Sequence, residues 1–281
     1  MINSPRRIAL LVAYRGERYQ GFQRQPGGPT VQQALEEAWS SVTGETTVVH
    51  GSGRTDAGVH AWGQVAHFAS FRSLRSGQVR EALNAYLPED IVVRAAVEVG
   101  PEFHARMSAI GKHYIYRVDL GEVRPVLSAE CSHWHRGALD VPAMRAAARH
   151  LVGRHDFASF AASGRPVRDT VRTLSDLRIR PVRGGLVVHA AGNGFLYKMV
   201  RNRVGTLLEI GRGRRAPEWA AAVLDARDRR RAGATAPAHG LVLWRVRYAA
   251  NPFSALPCGA ARAYPEPKQP GAGLPRPLSS C

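Results

Sequence analysis

Lysine is almost absent from this chain: Lys112, Lys198 and Lys268 are its only lysines, against 36 arginines. Cysteine is equally scarce. Cys131, Cys258 and Cys281 lie far apart with no C-x-x-C spacing, which excludes a disulfide framework and a cysteine-based zinc site and fits a reducing cytoplasm. Long apolar runs are missing too. The stretch Ile8 to Ala13 behind Arg6 and Arg7 is too short for a signal-peptide core or a membrane span, so a soluble protein without a membrane partner is expected. Acidic residues number 22 in 281 and are scattered, which argues against the clustered carboxylates of a two-metal nuclease.

What the chain has is positive charge. Its formal net charge is +17, which makes a polyanion the first partner to consider; an Ala- and Arg-rich composition also follows from nucleotide bias in coding DNA. The location of the charge says more than its total. Residues 1–105 hold 10 arginines and 10 acids, residues 106–250 hold 26 basic and 11 acidic residues, and residues 251–281 hold three and one. The candidate phosphate contacts therefore lie in the second half, at Arg165, Arg168 and Arg172, at Arg212, Arg214 and Arg215, and at Arg227 and Arg229 to Arg231.

A chain of 281 residues suits one large domain or two of ordinary size. Residues 8–14 read as a buried strand. Thr30, with Gln33 three residues on, caps a helix whose apolar stripe runs through Val31, Leu35, Ala38 and Trp39. Strands at 46–51 and 63–71, a helix capped by Ser76 and stopped by Pro88, and a strand over 91–99 complete a β-α-β-β-α-β order, the ferredoxin-like or split βαβ unit. The second half repeats the grammar. Strands are expected at 112–120, 132–135, 171–180, 186–191 and from Val242 to Tyr248, with helices from Asp140 to about Val152, between Gly194 and Gly211, and after Pro217. This predicts an α+β fold of two related halves, 1–105 and 106–250, with the site in the cleft between them. From Asn251 the chain turns to Pro, Gly, Ala and Ser, and 251–281 is expected to be a disordered tail.

One segment stands out, although a Gly-rich turn with an Asp is, as a bare pattern, more often a satisfied Asx-turn than a catalytic loop. Gly51-Ser52-Gly53-Arg54-Thr55-Asp56-Ala57-Gly58-Val59-His60-Ala61 places an Arg and a carboxylate on a turn with three glycines, each giving either positive φ or close approach. It is no dinucleotide fingerprint, because Asp56 stands where the third Gly belongs, and no phosphate loop, because G-K-[ST] is absent. His133-Trp134-His135 and the pair His60 and His67 have no accompanying Cys or carboxylate cluster, so they read as surface or core histidines and no metal is expected.

Gly53 to Ala61 resembles the signature of the TruA family of tRNA pseudouridine synthases. Tyr19 to Gln25, Thr30 to Gln32 with Leu35-Glu36, Lys112 to Tyr116, Asp156 to Phe160 and Phe195 to Asn202 resemble further family blocks in the same order, so the likeness spans about residues 6–250. Arg15 and Phe22 depart from the pattern, where the family usually has an acid and a Trp. The resemblance implies two ferredoxin-like halves whose antiparallel sheets join into one extended sheet with helices on one side, the active cleft lying between the halves. It also implies a homodimer that binds tRNA across both subunits. The implied reaction converts uridine to pseudouridine at positions 38, 39 and 40 of the anticodon arm, with no cofactor and no metal. Asp56 matches the catalytic aspartate, Arg201 its ion-pair partner, Tyr114 the tyrosine that stacks on uracil and can take a proton from carbon 5, and Arg54 the side chain that supports the flipped-out base. The competing reading is a non-catalytic RNA-binding protein of two ferredoxin-like modules, which would be expected to carry the RNP1 aromatic pattern that this chain lacks.

Overall fold

A computed structural model describes residues 4–164 and 169–254. The first half runs β1 (Arg6–Tyr14), α1 (Val31–Thr43), β2 (His50–Gly51), β3 (His60–Ser70), α2 (Ser76–Tyr86) and β4 (Ile91–Val99). The second runs β5 (Ala109–Asp119), β6 (His133–Trp134), α3 (Val141–His150), β7 (Gly153–Asp156), β8 (Val171–Val182), β9 (Gly185–Gly192), α4 (Met199–Gly211), α5 (Trp219–Ala226) and β10 (Leu241–Tyr248). All ten strands belong to one sheet of order β4-β1-β3-β10-β5-β9-β8-β7, with β2 beside β3 and β6 beside β5.

The order repeats. In the first half the neighbours run β4-β1-β3-β2, and in the second β10-β5-β9-β8, so fourth, first, third and second strands follow one another twice. These ladders are antiparallel, and the two halves meet through a short parallel pairing of β10 with β3, Val242 opposite His60 and Leu243 opposite Ala61. The apolar run of β1 is explained by its place between β4 and β3, where Ile8, Ala9, Leu10 and Val12 are buried. Trp39 of α1 closes the core over Phe68 of β3, with ring centroids 4.8 Å apart.

Several expected boundaries move, each for a local reason. The strand foreseen over 46–51 shrinks to His50–Gly51: the Val49 N–H donates to Glu36 Oε1 at 3.0 Å, and the Thr47 hydroxyl donates to the Ala69 carbonyl at 2.8 Å. Side-chain bonds replace the ladder there, and the far end of the β3 edge is left for β10. Thr30 caps α1 by accepting from the Gln33 N–H, but the Gln33 amide reaches Glu37 rather than closing the box. At α2 the cap is the Gln78 side chain accepting from the Arg75 N–H at 2.9 Å, with Ser76 already inside the helix. The helix expected from Gly194 begins only at Met199, because Lys198 takes a left-handed conformation (φ 57°) and the Tyr197 carbonyl accepts from Ala162. Gly153, just past the helix expected to end at about Val152, opens the unforeseen strand β7. The expected tail lies outside the described residues except for 251–254, and there Phe253 is buried against the core rather than free.

Candidate active site

The loop between β2 and β3 leaves the sheet where the two halves are joined, and this puts residues 52–59 over the seam. It is tied down on both sides. The Gln64 amide donates to the Gly53 carbonyl at 2.9 Å and its oxygen accepts from the Ser52 hydroxyl at 2.6 Å, while the Tyr14 and Thr55 hydroxyls lie 2.8 Å apart. The three glycines separate into two kinds: Gly58 has φ 76°, whereas Gly51 and Gly53 leave room for the Phe22 ring and for Lys112 Nζ. Phe22, one of the two departures from the family pattern, thus fills the space under Gly51; Arg15, the other, faces Glu130 at 3.1 Å.

Asp56 reaches across the seam to the first turn of α4, where Arg201 Nη1 stands 3.4 Å from Asp56 Oδ2. Arg201 is itself held, its Nε donating to the Ala236 carbonyl at 2.7 Å. Both side chains are largely withdrawn from solvent, 19% and 13% exposed, a setting in which an opposite charge favours the ionised carboxylate. Tyr114 of β5 faces the same space with its ring edge-on to Phe195 at 5.1 Å. Burial first, then the neighbouring Tyr14 and Asp56, push its hydroxyl well above the usual phenol range. Arg54 hydrogen-bonds Gln23 at the cavity wall. The structure therefore brings Asp56, Arg201 and Tyr114 together, with Arg54 on the same loop.

Asp56, Tyr114 and Arg54 line a cavity of about 740 Å³ formed from both halves, with Arg201 held against Asp56. Among the described residues its lining holds five Lys or Arg side chains, Arg54, Arg106, Lys112, Arg172 and Lys198, and a single carboxylate, Asp56. Arg106, Lys112 and Lys198 were not assigned to the site from the sequence. The available signal for the two lysines was their rarity, since both lysines of the described chain line this one cavity.

The expected phosphate clusters of the second half fare differently. Arg165 and Arg168 lie outside the described residues, and Arg172 lines the cavity. Arg212 pairs with Glu209 at 2.7 Å and donates to His135, Arg214 also meets Glu209, and Arg215 covers the Trp219 ring. Arg229 donates to Asn202 and Thr235, Arg230 forks Asp228, and Arg227 faces Asp156 at 3.3 Å. Among the described residues no group of three or more His, Cys, Asp or Glu is placed to hold a metal ion, and no helix is long and apolar enough to cross a membrane. The histidines serve packing: His60 accepts from the Gly16 N–H, His67 from Ala105, and burial pushes His67 and His133 down to about 4.

Comparison with known proteins agrees with the geometry. A family model described as tRNA pseudouridine synthase matches residues 10–107 and 147–249. The tRNA pseudouridine synthase A of Syntrophotalea carbinolica is 49% identical over 243 residues, covering 86% of this chain and 96% of that protein. Those of Geobacillus kaustophilus and Shouchella clausii are 48% and 45% identical over the same length, covering 94% and 93% of those proteins.

Proposed function

The chain belongs to the tRNA pseudouridine synthase family and isomerises uridine in tRNA to pseudouridine, and from this premise we propose that Asp56 is its catalytic residue and the anticodon arm, at positions 38, 39 and 40, its target. The observation that carries the assignment is the contact with Arg201 of Asp56, the single carboxylate on the wall of a cavity whose other charged lining, among the described residues, is cationic. The reaction breaks the bond from ribose to N1 of uracil, turns the base and rejoins it through carbon 5. An ionised carboxylate supplies the covalent or electrostatic participation this needs, and Arg201 keeps Asp56 ionised where burial alone would protonate it. Tyr114 remains a phenol at neutral pH, which favours stacking on the uracil over service as a phenolate base. A base inside a paired arm cannot reach such a cavity; Arg54 fills the place it vacates. The anticodon positions, a homodimer gripping one tRNA with both subunits and a cytoplasmic setting complete the reading, on the family pattern and the scarcity of cysteine.

The test is incubation with an unmodified tRNA transcript carrying tritium at carbon 5 of uridine, followed by mapping of the product. Tritium release without strand scission is expected, with pseudouridine confined to the anticodon arm. Asp56→Asn should lower release by at least about a thousandfold while tRNA affinity and melting temperature stay near wild type. Substantial release by that variant overturns the role of Asp56, and product elsewhere in the tRNA overturns the target. Binding without any release by the wild-type chain would leave the RNA-binding-module reading in its place.

A further inference from the structure

Lys112 stands two residues before Tyr114 on β5, so both side chains leave the same face of the strand, about 7 Å apart, and both line the cavity. Its ammonium lies against Gly53, three residues before Asp56, in the space that a β-carbon on Gly53 would occupy. Gly53 has no positive φ to account for it. What its lack of a side chain provides is a passage for Lys112 under the loop. In a chain that otherwise uses arginine almost everywhere, a lysine here supplies a compact point charge that a planar guanidinium does not match. The ammonium makes no hydrogen bond and no ion pair among the described residues.

We propose that Lys112, admitted beneath Gly53, is the docking point for the phosphodiester of the target nucleotide. The proposal rests on the tRNA reading above and extends it. Lys112 is half-buried on the cavity wall with no anion beside it among the described residues; partial loss of hydration without a partner is costly, and a phosphate entering with the substrate relieves that cost. The span from Lys112 to Tyr114 along the strand is of the same order as that from a nucleotide's phosphate to its pyrimidine ring. A uracil stacked on Tyr114 therefore brings its own backbone to Lys112. The surroundings agree: the other charged groups facing the cavity are the cations Arg54, Arg106, Arg172 and Lys198, with Asp56 already paired to Arg201. His50, His104, Tyr114 and Tyr197 complete the titratable lining. Burial, and then the neighbouring Arg106, bring Lys112 down to about 8, whereas burial and nearby cations lower His104 from its ordinary range and Tyr114 is raised. Lys112 thus changes charge just above neutrality, and phosphate binding must then take up a proton.

The experiment measures tRNA affinity by filter binding between about pH 7 and 9 for wild type, Lys112→Met, Lys112→Arg and Gly53→Ala. Wild-type Kd should rise about tenfold over that range, as linkage to a group near 8 requires. Lys112→Met should bind more weakly at pH 7 and lose the pH dependence, and Lys112→Arg, always charged, should also be flat. Gly53→Ala, which pushes the ammonium aside, should weaken binding at pH 7, and combining it with Lys112→Met should add little further loss. The proposal is overturned if Lys112→Met follows the wild-type curve at every pH, or if the Gly53 and Lys112 losses simply add. Tritium release by the wild-type chain, run alongside, tests the underlying reading separately: with no release it is that reading which fails.

Discussion

Arg203 is 1% exposed in α4, and neither of its terminal nitrogens has a hydrogen-bond partner among the described residues. Its guanidinium carbon sits 5.4 Å from the ring centres of both Phe157 and Phe195, and only Nε is engaged, with the Met199 carbonyl. Burial brings its pKa down to about 9. The sign follows: the folded state holds the charged form less well than the unfolded chain, so the penalty is fully present at every pH below 9 and is relieved only above it. Ring contacts with a cation return about 1 to 2 kcal/mol, less than removal of an unpaired buried charge gains. Arg203→Met should therefore raise stability by about 1 to 4 kcal/mol at pH 7, a gain in Tm of roughly 3 to 10 °C in a thermal melt. A lower Tm would show that the sandwich between the two phenylalanines outweighs the buried charge. A single residue of this kind is invisible to pattern reading, because Arg203 looks like any other arginine of a basic helix. The turn around Asp56 stands out locally by its glycines, but its reading as catalytic came through family likeness, as did the pairing with Arg201, which joins positions 145 apart.

In α4 the helix expected between Gly194 and Gly211 was readable from the spacing of its apolar residues, Leu196 and then Met199, Val200, Val204, Leu207 and Leu208, of which Leu196 falls before the helix, but burial of the helix on its polar side was not. Asn202 donates to the Phe160 carbonyl and accepts from Thr235 and Arg229, and the Thr206 hydroxyl accepts from the Gly233 N–H. The segment 229–235 thus wraps the helix through bonds that no periodicity encodes. Gly205 marks the closest approach, since a β-carbon there would overlap the Ala234 carbonyl oxygen. Helix propensity alone favours Gly205→Ala by about 1 kcal/mol. The clash is with backbone, which cannot turn aside as a side chain end can, and overpacking of this kind costs about 1 to 3 kcal/mol or more. The clash wins, and Gly205→Ala should lower Tm by several degrees. Because Ala236, the residue directly after the displaced segment, holds Arg201, tritium release should fall further than the loss of folded protein explains. A variant with unchanged Tm and unchanged release would show that the segment yields freely.

For the molecule as a whole, the repeated β-α-β-β-α-β order was legible because each unit declares itself by local periodicity. The seam was not, because a parallel pairing of two residues leaves no local trace, and the site stands at that seam. Charge shows the same division. The +17 total and its bias to the second half were correct as counts, but composition cannot tell a cation that is already paired from one that awaits an anion. Arg212 and Arg214 share Glu209, and Arg215 lies on Trp219, whereas Arg106 is exposed at the cavity and holds no ion pair among the described residues. Each phosphate neutralised contributes about 0.7 to 0.9 to the slope of log affinity against log salt. Arg106→Ala should therefore flatten the slope for tRNA by nearly one unit, while Arg212→Ala, Arg214→Ala and Arg215→Ala combined should flatten it by less than one. The reason is competition: a guanidinium that leaves Glu209 for a phosphate gives up one charge-assisted contact to form another, so little net counterion release accompanies the exchange. If the triple variant instead loses two to three units and Arg106→Ala loses none, the turn after α4 grips the tRNA, and the cavity holds only the nucleotide being turned.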